Sequence, residues 1–334
     1  MARIAIQGFG RIGRATLRAA LRDVGFTPVA VADVQDPATL AALFAVDSNY
    51  GRWPEPVGVG EGALRVGERS IPYLNVKDGL PDWGALGVDL VIDCTGRAAT
   101  RSGAQPHLDR GAGRVLVSTV SKSQQDADAV LLPGINLDQF DPEHHKIIAM
   151  GSCTTNALAP IVRVIREQWG LRHGFFTTAH AYTNSQSLTD QPMNDRRDSW
   201  AAAENIIPSS SGAARALKFI WPDLNVTGKA YRVPVRTGSI VELTAVVERP
   251  TSREELIAAF RAAAARAPLR GVMDVLEEEW PSARVVGDPH GSLVDLPLTQ
   301  VLDGTLITVA AWYDNEQGFA TQLARTAAAL ARGA

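Results

Sequence analysis

One cysteine stands among hydroxyl side chains in the stretch GSCTTNALAP, residues 151–160, where Cys153 is flanked by Ser152, Thr154 and Thr155. The preceding KIIAM reads as a strand and the following NALAPIVRVIREQW as a helix, which puts Cys153 in the first turn of that helix. Unpaired N–H groups and the helix dipole favour a thiolate there, and a nearby imidazolium would favour it further, so the position suits a nucleophile. The competing reading is a small buried hydrophobe, the commonest fate of a free cysteine, and the polar neighbours speak against it. Ser152, Thr154 and Thr155 read either as N-cap residues or, with the helix N–H groups, as an anion cradle.

Cys94 lies inside the apolar run VDLVIDC, with no helix start or basic neighbour to activate it, and is expected to be a packing residue. A base for Cys153 must come from the six histidines. His107, His144, His145, His173 and His290 occupy loop-like contexts, where a solvated or turn-capping role is the default. His180, in FFTTAHAYTNSQ, ends an apolar strand and leads into a polar loop, a place from which a rigid sheet can aim a side chain into a cleft. Spacing gives His180 only a modest edge, because base and nucleophile meet in space and not in sequence.

A second pattern opens the chain. ARIAIQ is followed by GFGRIG, a helical stretch to about Val24 and strand-like VAVAD, so Gly8, Gly10 and Gly13 form G-x-G-x-x-G inside a strand–turn–helix–strand unit. Glycines allow the tight turn and let helix N–H groups approach a pyrophosphate, whose charge the dipole favours. Asp33, twenty residues past Gly13, is placed to accept hydrogen bonds from an adenosine ribose and to repel a 2′-phosphate, which favours NAD over NADP. A glycine turn used only for packing is the bland alternative.

These residues need scaffolds. The runs VDLVIDCTG, RVLVST and KIIAM suit parallel strands covered on both faces, so residues 1–150 are expected to form a doubly wound (Rossmann) sheet. Beyond 151, FFTTAHAY, KAYRVPV, SIVELTAVVE and ITVAAWY read as longer, partly alternating strands of an antiparallel or mixed sheet with one face covered. TSREELIAAFRAAAARA carries a capping box, Thr251 or Ser252 with Glu254 or Glu255, and residues 317–332 read as a second Ala-rich helix. The fold class is α/β, with an N-terminal dinucleotide-binding domain and an α+β catalytic domain over 151–315.

Length and composition agree. A chain of 334 residues, 46% hydrophobic and 21% charged, fits two folded domains and no long disorder. A net charge of −3 with mixed signs leaves no basic stripe for nucleic acid. No apolar run approaches the ~18–20 residues of a membrane span and MARIAIQGFG has no signal-peptide regions, so the cytoplasm is expected. Two cysteines make no disulfide framework, and no clustered pattern suggests a metal.

The ordered pieces GFGRIGR, VDLVIDCTG, DPEHHKII, SCTTN, HAYTNSQ, AAAENIIP, SGAA, RVPV, TQVLDGT and WYDNE resemble those of phosphorylating glyceraldehyde-3-phosphate dehydrogenases over essentially the whole chain. The resemblance implies that Cys153 attacks an aldehyde, that His180 takes the hemithioacetal proton as hydride leaves for NAD, and that inorganic phosphate then cleaves the thioester. It assigns Ser152, Thr154, Ser211 and Gly212 to the attacking phosphate, and Thr183, Arg197 and Arg232 to the phosphate of the phospho-aldehyde. Arginine's planar fork grips phosphate oxygens; otherwise Arg197 reads as a surface ion-pair residue, and Arg232 needs a ligand or acid partner if buried. Arg11 and Ile12 are implied backbone donors to the pyrophosphate, and Asn315 the residue that orients the nicotinamide carboxamide. Thr95, Gly96 and Ser118 complete the expected cofactor set. The resemblance further implies that the C-terminal helix, 316–334, completes the first domain and that the chain forms a homotetramer in which the 180–205 loop reaches a neighbour's cofactor site.

Several positions depart from the family pattern. Ala157 replaces the second cysteine of SCTTNC, which should spare the chemistry and reduce intramolecular oxidation. Gln7, Ala32, Met150 and Gly151 change the surroundings of the cofactor pocket. Trp200, Gln317 and Phe319 bear on substrate range and loop packing. Val34 replaces a usual Leu while Pro192 is retained, which keeps NAD as the expected cofactor and leaves room for some NADP use. Two alternatives stay open: a specialised paralogue acting on another phosphorylated or phosphonylated aldehyde such as erythrose 4-phosphate, and a non-catalytic redox sensor or scaffold.

Overall fold

The computed structural model describes residues 2–333. They form two compact units, one holding the chain through Leu132, Asn136–Gly151 and everything from Ala320, the other Pro133–Ile135 and Ser152–Phe319. Among the described residues no helix is long and apolar enough to cross a membrane.

The first unit contains β1 (Ile4–Gln7), β2 (Ala30–Asp33), the short pair β3 (Val46–Asp47) and β4 (Gly51–Arg52), β5 (Val57–Gly60), β6 (Ala63–Val66) and β7 (Arg69–Asn75). It continues with β8 (Leu90–Asp93), β9 (Arg114–Val117), β10 (Ala129–Val130) and β11 (Ile147–Ala149), and its helices are α1 (Arg11–Ala19), α2 (Pro37–Ala45) and α3 (Arg101–Asp109). Apart from β3 and β4, the strands make one sheet in the order β10-β11-β9-β8-β1-β2-β7-β6-β5. From β10 to β7 every neighbour is parallel. The fully buried strands Leu90–Asp93 and Ile147–Ala149 show why the apolar runs do not alternate: both faces of the sheet are covered. The antiparallel edge formed by β5, β6 and β7 was not anticipated, because its strands mix glycine, arginine and polar residues with the apolar ones.

Strand β1 lies between β2 and β8, so the strand order reverses beside it, and ligands of such sheets bind at the carboxyl ends of the strands flanking that switch point. The glycine turn sits there. Gly8 has φ 87°, which a side chain would strain, and a Cβ on Gly13 would stand 2.0 Å from the Gly8 carbonyl oxygen. Gly13 therefore sets how closely α1 packs on the turn. The later end of the chain joins this unit through Ala324, which packs with Ala19 and Ala20.

The second unit contains α4 (Cys153–Trp169), β12 (Leu171–Ala181), β13 (Ile207–Ser210), α5 (Ala213–Ile220), β14 (Val226–Val233) and β15 (Ser239–Val247). After these come α6 (Arg253–Ala264), β16 (Met273–Leu276), β17 (Ser292–Leu302), β18 (Leu306–Tyr313) and α7 (Gln317–Arg332), of which α7 runs on into the first unit's portion of the chain. Its sheet, in the order β13-β14-β12-β15-β18-β17-β16, is mixed: β12/β14 and β16/β17 are parallel and the remaining pairs antiparallel. Helix α4 packs across β12, β15, β17 and β18. Burial along β15 alternates accordingly, with Val241, Leu243 and Ala245 buried under the helices and Glu242 and Thr244 exposed. The capping box of α6 proves to be Ser252 with Glu255, each side chain taking the other's backbone N–H.

Gly13→Ala should lower stability by about 1–3 kcal/mol, the usual penalty for overpacking a site that must shift backbone atoms. Denaturant unfolding measures it, and a midpoint equal to that of the wild type would contradict the close approach described for the turn.

Candidate active site

Cys153 is the first residue of α4. Ser152 caps the helix: its hydroxyl accepts the Thr155 N–H at 3.1 Å while Thr155 Oγ1 accepts the Ser152 N–H at 3.0 Å. The capping reading thus accounts for Ser152 and Thr155. The Cys153 thiol lies 3.2 Å from His180 Nε2. His180, near the end of β12, pairs in register with Arg232 on the parallel strand β14, so their side chains leave the same face of the sheet. His180 Nδ1 is 2.6 Å from Arg232 Nη1 and 2.6 Å from the Ala181 carbonyl oxygen. Protonated at Nδ1, the ring donates to Ala181 and turns a bare Nε2 toward the thiol. Bare at Nδ1, it accepts from Arg232 and presents an Nε2–H to sulfur.

His180 is buried, 4% exposed, and burial, reinforced by the Arg232 charge, pushes its pKa from the ordinary 6.5 down to about 3 against the pull of the Ala181 carbonyl. Burial also pushes the Cys153 thiol up, opposed by the Arg232 charge and by the Thr154 amide. Both shifts favour a thiol beside a neutral imidazole. A second cation is disfavoured in a desolvated space already facing a guanidinium. Cys94 behaves as expected, its thiol pushed up to about 12 by burial and by Asp93.

The hydroxyls divide. Thr154 is buried, and its Oγ1 is 3.0 Å from the phenol of Tyr313, which lies 2.8 Å from Thr178 Oγ1; Thr178 donates to the Ile240 carbonyl. Since Thr178 spends its proton on Ile240, the Tyr313 phenol donates to Thr178 and the Thr154 hydroxyl donates to Tyr313. Tyr313, 1% exposed, also sets its ring edge-on to His180 at 5.9 Å, and burial pushes its phenol up. Neither Tyr313 nor Thr178 was singled out from sequence. The available signal was the tyrosine in WYDNE, whose hydroxyl needs a partner once buried. Thr183 bonds Ser185 at 2.9 Å, Ser211 accepts the Ala213 N–H at 3.3 Å, and Gly212 is the N-cap of α5. Arg197 stands exposed in a short 3-10 turn, its side chain in no hydrogen bond or ion pair among the described residues. Arg232, by contrast, meets the base directly and acts on the nucleophile through its charge.

Two regions suit a dinucleotide. In the first unit Gly10 caps α1 with no side-chain hydrogen bond, and a helix start of this kind suits an anion. The Arg11 side chain itself turns to Asp47 at 2.6 Å. Asp33 accepts the Phe9 N–H at 2.5 Å through one oxygen and the Gln35 N–H at 2.9 Å through the other, which ties it to the glycine turn and leaves lone pairs for ribose hydroxyls. Asp93 at the end of β8 holds both the amide and hydroxyl of Thr95 and, through its carbonyl, the Ser118 N–H; Gly96 follows with φ 74°. In the second unit Asn315 Oδ1 accepts from the Gly238 N–H at 3.1 Å and the Ser239 hydroxyl at 3.0 Å. These parts fit NAD by their chemistry: uncapped amides for a pyrophosphate, a carboxylate for a ribose, an amide for a carboxamide.

Comparison with known proteins follows the same division of the chain. Residues 2–101 match the glyceraldehyde 3-phosphate dehydrogenase NAD binding domain, and residues 152–315 match the C-terminal domain of the same family. The chain is 46% identical to a glyceraldehyde-3-phosphate dehydrogenase of Kitasatospora aureofaciens, with 99% of each covered. It is 41% identical to one from Mycolicibacterium smegmatis over 96% of each, and 40% identical to one from Geobacillus stearothermophilus over 98% of each. With both domains matched and identity at that level along nearly all its length, the chain belongs to the glyceraldehyde 3-phosphate dehydrogenase family.

Proposed function

We propose that this protein is an NAD-dependent phosphorylating aldehyde dehydrogenase that reversibly converts glyceraldehyde 3-phosphate and inorganic phosphate to 1,3-bisphosphoglycerate. The observation that carries the reading is the 3.2 Å approach of a helix-mouth thiol to a neutral imidazole backed by a guanidinium. A neutral Nε2 is what a shuttle requires. It takes the thiol proton as Sγ bonds to the aldehyde carbon, returns it to the new alkoxide, and takes it again from the hemithioacetal hydroxyl as the C–H bond breaks. NAD, when bound, supplies the hydride acceptor. A phosphate oxygen then attacks the Cys153 thioester and the thiolate leaves, so the energy of oxidation is kept in an acyl phosphate.

The remaining roles are assigned on the same reading. Ser152, Thr154, Ser211 and Gly212 receive the attacking phosphate, while Thr183, Arg197 and Arg232 hold the substrate's own. Residues 1–150 with the helix 316–334 bind NAD through Gly8, Gly10, Arg11, Ile12, Gly13, Asp33, Thr95, Gly96 and Ser118. Residues 151–315 carry the chemistry and Asn315, which donates to the nicotinamide carboxamide. The protein works in the cytoplasm as a homotetramer.

The deciding assay is steady-state reduction of NAD with glyceraldehyde 3-phosphate, with and without phosphate, run beside NADP and erythrose 4-phosphate. Turnover should require phosphate and prefer NAD and the triose; turnover indifferent to phosphate would sink the proposal. His180→Gln should cut kcat by about 10²–10⁴-fold with NAD binding retained, as read by rapid-quench measurement of acyl-enzyme formation. The same variant should change acid stability. Because the folded pKa of His180 lies below its unfolded value, the unfolded chain binds a proton the native one refuses, so stability is lost as pH falls from about 6.5 toward about 3. Removing the histidine should flatten that part of a denaturation-versus-pH series, and an unchanged slope would contradict the buried neutral imidazole.

A further inference from the structure

Ser239 opens β15 and is 1% exposed. The ladder between β12 and β15 ends at the pair Ala179–Ile240, so the Ala181 N–H, two residues further on, has no backbone partner across that edge. The Ser239 hydroxyl takes its place: Ala181 N–H donates to Ser239 Oγ at 3.0 Å. A hydroxyl that accepts there has one proton left to give, and the acceptor in reach is Asn315 Oδ1 at 3.0 Å.

The donors around Asn315 settle which way its amide faces. The Gly238 N–H can only donate, and it points at the same Asn315 oxygen from 3.1 Å; Thr237 Oγ1 stands 3.5 Å from that oxygen and 3.1 Å from the buried carboxylate of Asp314. Oδ1 is thus turned inward and saturated, and Nδ2 has no hydrogen bond among the described residues. Asn315 is 5% exposed, and with Oδ1 held inward its Nδ2 is the atom left open, a fixed N–H donor for a ligand acceptor.

We propose that Ser239 is a positioning residue for hydride transfer: one hydroxyl ties the Ala181 backbone, next to the base His180, to Asn315 Oδ1 and thereby holds Asn315 Nδ2 as the donor for a carboxamide oxygen. The inference rests on the proposed NAD-dependent reading of this site. It goes beyond that reading by assigning a task to a residue that touches neither the substrate nor the reacting atoms. Without the Ser239 proton, the Asn315 amide keeps the Gly238 N–H and the long Thr237 contact, and its orientation is held less firmly. NAD binding should then weaken while thiol chemistry at Cys153 persists.

The test is a double-mutant cycle of Ser239→Ala and Asn315→Ala, with NAD dissociation constants measured by calorimetry on the full-length protein and KM for NAD compared with kcat. Ser239→Ala should weaken NAD binding on the order of tenfold, the scale of leaving a buried acceptor under-satisfied. The alkylation rate of Cys153 in the NAD-free protein should stay within about twofold of the wild type. In the Asn315→Ala background the effect should nearly vanish, because Ser239 acts through that amide. Ser239→Cys, a near-isostere with a weak donor, should fall between Ser and Ala and serves where the alanine variant does not fold. An unchanged dissociation constant in both single variants, or the same weakening with and without Asn315, would overturn the inference. A wild type that binds NAD yet fails to oxidise the triose phosphate would overturn the functional reading alone.

Discussion

A thiol at the mouth of α4 and an imidazole at the end of β12 meet at 3.2 Å because the helix packs across the strand and the strand pairs in register with β14. That pairing matters as much as the distance. It places Arg232 against the far nitrogen of the ring, so the imidazole is squeezed between a neutral sulfur acid and a permanent cation. The ring cannot easily become a second cation there, and its neutrality at physiological pH follows from the sheet register together with desolvation. Slipping β14 by one residue would send Arg232 to the opposite face.

The same neutrality gives the Cys153–His180 pair a different resting state from a thiolate–imidazolium couple. A thiolate buried without substrate would be exposed to oxidation and alkylation, whereas a thiol becomes nucleophilic only as its proton moves to Nε2. Around this pair the polar network is closed by strict donor and acceptor counting: Thr154 to Tyr313, Tyr313 to Thr178, Thr178 to Ile240, and Ala181 through Ser239 to Asn315. Each link ties α4, β12, β15 and β18 to one another close to the reactive atoms, and hydrogen bonds joined in such chains polarise and strengthen one another.

Particular residues show how far sequence reaches. The parallel sheet was legible because its strands are short continuous apolar runs, the helix α6 because Ser252 and Glu255 sit three apart ahead of an Ala-rich stretch, and the glycine turn because Gly8 and Gly13 answer local steric demands. The edge formed by β5, β6 and β7 was not, since edge strands carry no strong apolar period. In SCTTN the sequence left capping and anion binding as equal readings of the hydroxyls; the structure gives Ser152 and Thr155 to the cap and hands the Thr154 proton to Tyr313, a residue 159 positions away.

By itself, the amino-acid sequence determined the apolar parallel strands, the capped and Ala-rich helices, the helix-mouth position of Cys153 and the dinucleotide turn, because these depend on periodicity, capping and glycine spacing within a few residues. Only the tertiary structure decided that His180, of six histidines, meets the thiol, that the ring is neutral, and that Asn315 faces its nitrogen outward. Those outcomes depend on which chain segments are brought within about 3 Å and how thoroughly water is excluded from them, and neither quantity is encoded in local spacing.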